Sequence, residues 1–303
     1  MIQTLTELLD FTCFEAVIES NDINYTDLRT RMTKSFNTDQ DEILSSQEYK
    51  FTEAFYTFTA VADQENYDFA VNHKKIKTVV PVIDSRPHEP LIEIVSPDEW
   101  DILKADSVGY TTDFPTHFHV RNKQIYIYPT PGSTDVSFRI LYTKRAKPMR
   151  YTDYLTGSIA VTNGSKSVVG TGTTWNSTVA TAGTKIRIKD DWYEVATVTG
   201  TTGITLTQNY QGTTASGITD YVIGDTPLLH EDFQLILPYK FLERYFRRND
   251  PKRANNYKAE WMRLKIGMDQ YVVSQTTSRV IDLDKRAGIN DPYKTPRNLV
   301  FSS

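Results

Sequence analysis

The sequence predicts an α+β fold. It has a helical bundle from the N- and C-terminal helices, a β-hairpin and sheet region, and an inserted small all-β barrel or sandwich domain. Three observations predict it. Apolar residues recur in steps of three and four near both ends, the helical period. They alternate in three short runs within 118–142, the strand period. Between Thr156 and Thr226 the composition shifts to Thr, Gly, Ser and Val with little charge. The expected organisation is a discontinuous core of residues 1–155 and 227–277, a β insert at 156–226, and an extended C-terminal arm at 278–303.

Thr4 and Glu7 have capping-box spacing, and Leu5, Leu8, Leu9, Cys13, Ala16 and Val17 form an apolar stripe behind them. Asp22 or Asn24 is placed to cap a second helix that buries Tyr25, Leu28, Met32 and Phe36 and runs to about Ser45. Val79–Ile83 and Leu91–Val95 read as strands, with Pro87 and Pro90 bracketing the loop between them. Ser96-Pro97-Asp98-Glu99 reads as a helix start, with serine as cap and proline at the first helical position. Trp100 and Leu103 then point inward. Phe118 and Val120 alternate, as do Ile125 and Ile127, around an Asn122-Lys123 turn, which predicts a hairpin. Val136, Phe138, Ile140 and Tyr142 give a period-two strand with Ser137 and Arg139 facing out.

Ile186 and Ile188, then Tyr193 and Val195, place further strands in the insert. After Pro227 the periodicity is helical: Phe233, Ile236, Leu237, Phe241, Leu242 and Tyr245, with Pro238 expected to kink or split the helix. Asp250-Pro251 opens a second helix with a seam of Ala254, Tyr257, Trp261, Leu264, Met268 and Tyr271.

With 303 residues, 39% hydrophobic, the chain is long enough for a substantial core. The net charge of −4 is unevenly spread: −8 over 1–155, −1 over 156–227 and +5 over 228–303. An acidic front and a basic back suit head-to-tail packing between copies or contact with an anionic partner. Cys13 is the lone cysteine, which rules out an intrachain disulfide and a Cys-based zinc site. The N-terminus lacks the basic start and apolar run of a signal peptide, and no apolar run reaches membrane-spanning length. A soluble protein made in the cytosol is expected.

Residues capable of chemistry are sparse. His117 and His119 lie two apart on a predicted strand and share a face, yet a metal site needs further ligands. Gly170-Thr171-Gly172-Thr173-Thr174 lacks the Gly-Lys-Ser/Thr of a phosphate loop and reads as a turn. Neither a nucleophile elbow nor a paired acid/base set is present, so no enzyme and no cofactor are expected. Trp175, Trp192, Tyr193, Tyr210 and Tyr221 form a candidate sugar-stacking platform in the insert, as a minority reading. The basic residues of the C-terminal helices carry more: Arg244, Arg247 and Arg248 on the first, Lys252, Arg253, Lys258, Arg263 and Lys265 on the second. Salt bridges between subunits weigh above phosphate contact, given the acidic front.

Phe114–Pro131, FPTHFHVRNKQIYIYPTP, resembles the hairpin of the head-to-tail adaptor proteins of tailed bacteriophages, also called connector or tail tubular proteins. Short-tailed phage versions look most similar. The matching positions are Pro115, Phe118, Val120, Ile125, Ile127, Pro129 and Pro131, followed by the Val136–Tyr142 strand. The two N-terminal helices, the SPDEW segment and the closing helices agree, and the insert looks like small β-domains found in many phage structural proteins. The resemblance implies a non-enzymatic virion protein of the neck, made in the host cytoplasm. It would form a ring, commonly dodecameric, that joins the portal to the tail and lines or extends the DNA channel. The implied partners are the portal protein, tail nozzle or tail fibre proteins, other copies of the chain, and non-specifically the packaged DNA, with no membrane. Arg244, Arg247, Arg248, Arg253, Lys258, Tyr293, Leu299 and Phe301 are the candidate subunit or portal interface. The alternative is a carbohydrate- or DNA-binding protein that uses the β insert or the basic helices.

Overall fold

A computed structural model describes residues 2–70, 72–105, 114–132, 136–150, 152–176, 179–181 and 183–289, with side chains as far as Tyr271. The chain is mixed α+β, with an all-β insert, and divides into two compact units. One holds Met1–Gln3, Glu7–Met32 and His230–Ser303; the other holds Thr4–Thr6 and Thr33–Leu229.

The first helix, α1 (Leu5–Ala16), buries Leu5, Leu8, Leu9, Cys13 and Ala16, the stripe its spacing predicts. Val17 departs from that stripe: it is 76% exposed. The helix stops one residue earlier, where Val17 adopts φ 59° and the Ile18 amide donates back to the Cys13 carbonyl at 2.9 Å. A β-branched residue in this left-handed position is strained, which is why glycine usually holds it. Helix α2 (Tyr25–Ser46) fully buries Met32 and Phe36, while Tyr25 and Leu28 are half-buried.

In the second unit, two four-stranded sheets enclose one core. Its strands are β1 (Glu53–Thr59), β2 (Asn66–Asp68), β3 (His73–Ile83), β4 (Arg86–Pro87) and β5 (Ile92–Glu93), then, after α3 (Pro97–Ala105), β6 (His117–Arg121), β7 (Gln124–Tyr128) and β8 (Ser137–Lys144). The sheet orders are β1-β8-β3-β4 and β2-β7-β6-β5. Phe118, Ile125 and Ile127 face Phe138, Ile140 and Val79 in that core. The hairpin turn has Asn122 and Lys123 at φ 52° and 63°, the pair of positive angles that a two-residue type I′ turn demands. Pro97 opens α3 as expected, and Trp100 is buried while Leu103 is half-buried.

The insert is a seven-stranded antiparallel sheet: β9 (Ser158–Val161), β10 (Ser167–Thr171), β11 (Lys185–Ile188), β12 (Asp191–Thr199), β13 (Gly203–Leu206), β14 (Ala215–Ile218) and β15 (Tyr221–Gly224). All seven strands contribute to one core around Trp175. The chain enters and leaves side by side, because Tyr154 and Ile223 exchange backbone hydrogen bonds of 2.9 and 3.1 Å.

Beyond the insert, a short 3-10 turn (Glu231–Phe233) precedes α4 (Ile236–Phe246). Pro238 therefore falls in the first turn of α4, where its missing N–H costs no intrahelical bond. Helix α5 (Pro251–Ile289) corrects the sequence reading of an extended arm from residue 278: the chain stays helical to Ile289. Between Val272 and Ala287 there is no glycine or proline, so nothing local ends the helix before Gly288 and Pro292. Tyr293, Leu299 and Phe301 lie outside the described residues.

Packing in the insert is tight at Gly170. A Cβ there would stand 2.8 Å from the Trp175 ring and also collide with the Thr173 side chain. Gly170→Ala should therefore destabilise the protein by about 1–3 kcal/mol in urea unfolding, through overpacking. An unchanged midpoint would show that the site has slack.

Candidate assembly interface

The basic residues singled out by the sequence split into two groups once α4 and α5 are placed. Asp250 begins α5, with its carboxylate accepting from the Arg253 amide at 3.0 Å. Arg253 itself is built into the fold. Its guanidinium lies 4.3 Å from the Phe246 ring centroid, Nε donates to the Tyr257 hydroxyl at 3.2 Å, and a terminal nitrogen donates to the Glu15 carbonyl. Tyr257 then donates to the Glu15 carboxylate at 2.9 Å. Around this arrangement pack Ala16, Leu242, Tyr257, Ile18, Tyr239 and Phe246. Arg253 thus ties the end of α1 to α5.

Arg247 also has an internal role. It donates to Glu243 at 2.7 Å, and the indole N–H of Trp261 donates to the other oxygen of that carboxylate at 2.9 Å. Burial works against ionisation of Glu243, but these two donors outweigh it and hold the carboxyl below its usual range. Lys240 Nζ sits over the Trp261 ring, 5.8 Å from its centroid.

Arg248 and Lys252 are different: both are exposed, with no side-chain hydrogen bond or ion pair among the described residues, and the exposed Lys258 acts on the Glu243 carboxylate through charge alone. Arg244 is exposed as well. In the same unit, Phe14 and Ile23 join Val17 as large exposed apolar residues, at 80% and 96% exposure. The Arg253–Glu15 hydrogen bond places the Phe14–Val17 end of α1 beside the α4–α5 turn. The result is one end of the helical unit that combines apolar and cationic side chains. Sequence reading missed Phe14 and Ile23, which lie off the buried stripe, and took Val17 for core. A signal was available in the large apolar residues clustered around a short polar turn.

The histidine pair does not form a metal centre among the described residues, where no group of three metal-ligating side chains occurs. His119 is buried, its Nδ1 bonded to the Ile94 carbonyl at 2.7 Å and its ring stacked 5.5 Å from Trp100. It thereby holds α3 against the sheet. His117 is half-buried beside Thr116, with Nδ1 2.8 Å from the hydroxyl, and burial lowers its pKa. The sugar platform is likewise overturned. Trp175, Tyr193, Tyr210 and Tyr221 are core residues of the insert, and of the five only Trp192 is more than marginally accessible. Burial pushes the Tyr221 hydroxyl up to about 12, and that hydroxyl donates to the Thr156 carbonyl. Cys13 is buried, which raises its thiol pKa and makes it unreactive.

A family model described as SU10 adaptor protein matches residues 4–162, just over half of the chain. The chain belongs to that phage adaptor family, and its role is structural. The match runs from α1 through both sheets and ends on β9, the first strand of the insert. No curated protein matches the chain. No described helix is long and apolar enough to cross a membrane.

Two outcomes follow from this geometry. Arg253→Lys keeps the charge but loses the planar stacking and the forked donor set, so it should cost about 1–2 kcal/mol of stability in denaturant titration. For His117 the folded pKa lies below the unfolded one, so the native state binds fewer protons. Its contribution is present above pH about 6.5 and is lost as pH falls through the lower folded value. His117→Gln should flatten the fall in stability below that pH; an identical slope in both proteins would show that His117 does not contribute.

Proposed function

We propose that this adaptor forms a closed ring at the virion neck, joining the portal to the tail and extending the DNA channel. The observation that carries it is the apolar and cationic end of the helical unit, with Phe14, Val17, Ile23, Arg248, Lys252 and Lys258 on its surface. A solvated helix face does not need three large apolar side chains beside exposed cations, whereas an interface core with a charged rim does. The complement is at hand in another copy, since residues 1–155 carry a net −8. Contacts between unlike surfaces are heterologous and generate a ring when the rotation closes. The family resemblance supports a dodecamer with portal and tail proteins as neighbours. The C-terminal stretch with Tyr293, Leu299 and Phe301 reaches a neighbouring copy or the portal. Arg253 supports the interface from within, and non-specific contact with packaged DNA falls to the same exposed cations.

Electron microscopy of the chain mixed with its portal should show rings coaxial with the portal. Arg248→Glu with Lys252→Glu should reduce the assembled fraction at least tenfold while leaving the fold intact by circular dichroism. A chain that stays monomeric on the portal, yet binds duplex DNA with an affinity falling steeply with salt, would replace this reading with a DNA-binding one.

A further inference from the structure

The sheet β1-β8-β3-β4 has an open edge at β1, and that edge is unusual. Ala60 donates to the Val136 carbonyl at 2.7 Å, which sets the alternation of the ladder. Ala54, Tyr56 and Phe58 exchange bonds with β8, while Phe55, Thr57 and Thr59 direct their N–H and C=O groups away from it. None of these six outward groups has a hydrogen-bond partner among the described residues.

Exposed edges are normally kept short or broken by proline, lysine or a bulge, because an open row of amides recruits another strand. β4 is two residues long and contains Pro87, β5 is two residues long and β2 three. β14 has a register shift and β15 spans four residues. β1 has seven residues, Glu-Ala-Phe-Tyr-Thr-Phe-Thr, in unbroken register with β8 and with no proline or lysine. Its outer row presents Phe55, 67% exposed, with the Arg139 guanidinium 5.6 Å from the ring centroid.

We propose that β1 accepts the C-terminal segment of a second copy as an added strand; this rests on the ring reading above. The described chain ends at Ile289, leaving fourteen residues from Asn290 to Ser303. After the last proline they include Leu299-Val300-Phe301, a short apolar run with the strand-favouring Val and Phe. The segment is carried on α5, whose 39 residues make a rod of about 58 Å, against about 16 Å for the eleven residues of α4. Such a rod carries its tail well beyond the helix it packs on. Stoichiometry favours this occupant as well. Each copy has one β1 edge and one tail, so a ring fills every edge. Pairing β1 with β1 would be isologous and would stop at a dimer.

The test mixes full-length Thr57→Cys chains with full-length Val300→Cys chains, assembles them on portal and oxidises them. Buried Cys13 stays silent. The expected product is a disulfide between residues 57 and 300 of different copies, with self-association weakened at least tenfold by Thr57→Pro. That proline removes an outward N–H and leaves the β8 ladder whole, so an unchanged melting curve excludes misfolding. Rings that form normally without the disulfide, and that tolerate Thr57→Pro, overturn the proposal and leave the ring reading standing. A 57–300 disulfide within one doubly substituted monomer, or a Val300→Cys link to the portal instead, also overturns it. Absence of rings from every full-length chain would remove the ring reading itself.

Discussion

A buried carboxylate, Asp225, is the point on which the larger unit depends. One of its oxygens accepts from the Arg150 amide at 2.7 Å, and the other faces Lys147 Nζ at 3.4 Å. Its backbone carbonyl accepts from the Leu5 amide at 2.8 Å, at the first residue of α1. Lys147 also donates to Thr181 and Thr184 in the insert. A single residue just past β15 thus joins the segment that follows β8, the start of α1 and a loop of the insert. The neighbouring contacts repeat the theme: Asn37 brackets the Met149 backbone, Thr4 donates to Asp153, and Gln40 accepts from the Leu228 amide at 2.7 Å. Polar groups this deep are stabilising only when satisfied, and an unmet partner costs about 1–3 kcal/mol. The insert is therefore held by directional bonds at its root, which fix its position as well as its attachment.

Arg253 does comparable work in the helical unit by other means. Its stacking on Phe246 and its bond to the Glu15 carbonyl close the end of α1, one step before the strained Val17. Strain of about 1–3 kcal/mol at a β-branched left-handed residue persists only where the surroundings hold it. The exposed Phe14 and Val17 are thereby presented on a rigid helix end, which suits a surface that must match a neighbour.

Much of the scaffold was legible because it follows local periodicity. The Asn122-Lys123 hairpin, the Val136–Tyr142 strand and the proline start of α3 each express a single backbone rule. The α1 stripe failed at its last member because helical spacing says nothing about where the helix stops, and no glycine marked the cap. The arm was misread from residue 278 to 289 because polar composition was taken for extended chain, whereas the absence of breakers leaves a helix. The basic residues could not be sorted in advance. Arg253 and Lys258 look alike in sequence, and only tertiary partners decide that one stacks on Phe246 while the other stays exposed. The insert's aromatics were ambiguous for the same reason, since a ring can pack inward or stack on a ligand.

That last distinction bears on what the insert can contribute. Trp175, Tyr193, Tyr210 and Tyr221 are all committed to its core, and Trp175 meets Tyr221 edge to face at 6.4 Å. The exposed positions of its strands are mainly Ser and Thr, with Asp191, Gly217 and a single large apolar residue, Val169. A surface of that kind has little apolar area to bury, so recognition across it would run through hydrogen bonds and charge. Strong apolar contact is available elsewhere, at the Phe14–Val17 end of the helical unit and along β1. The exposed Phe14, Val17 and Phe55 thus lie on the family-typical scaffold, while the insert, bonded at its root through Asp225, presents mainly hydroxyl side chains along its strands.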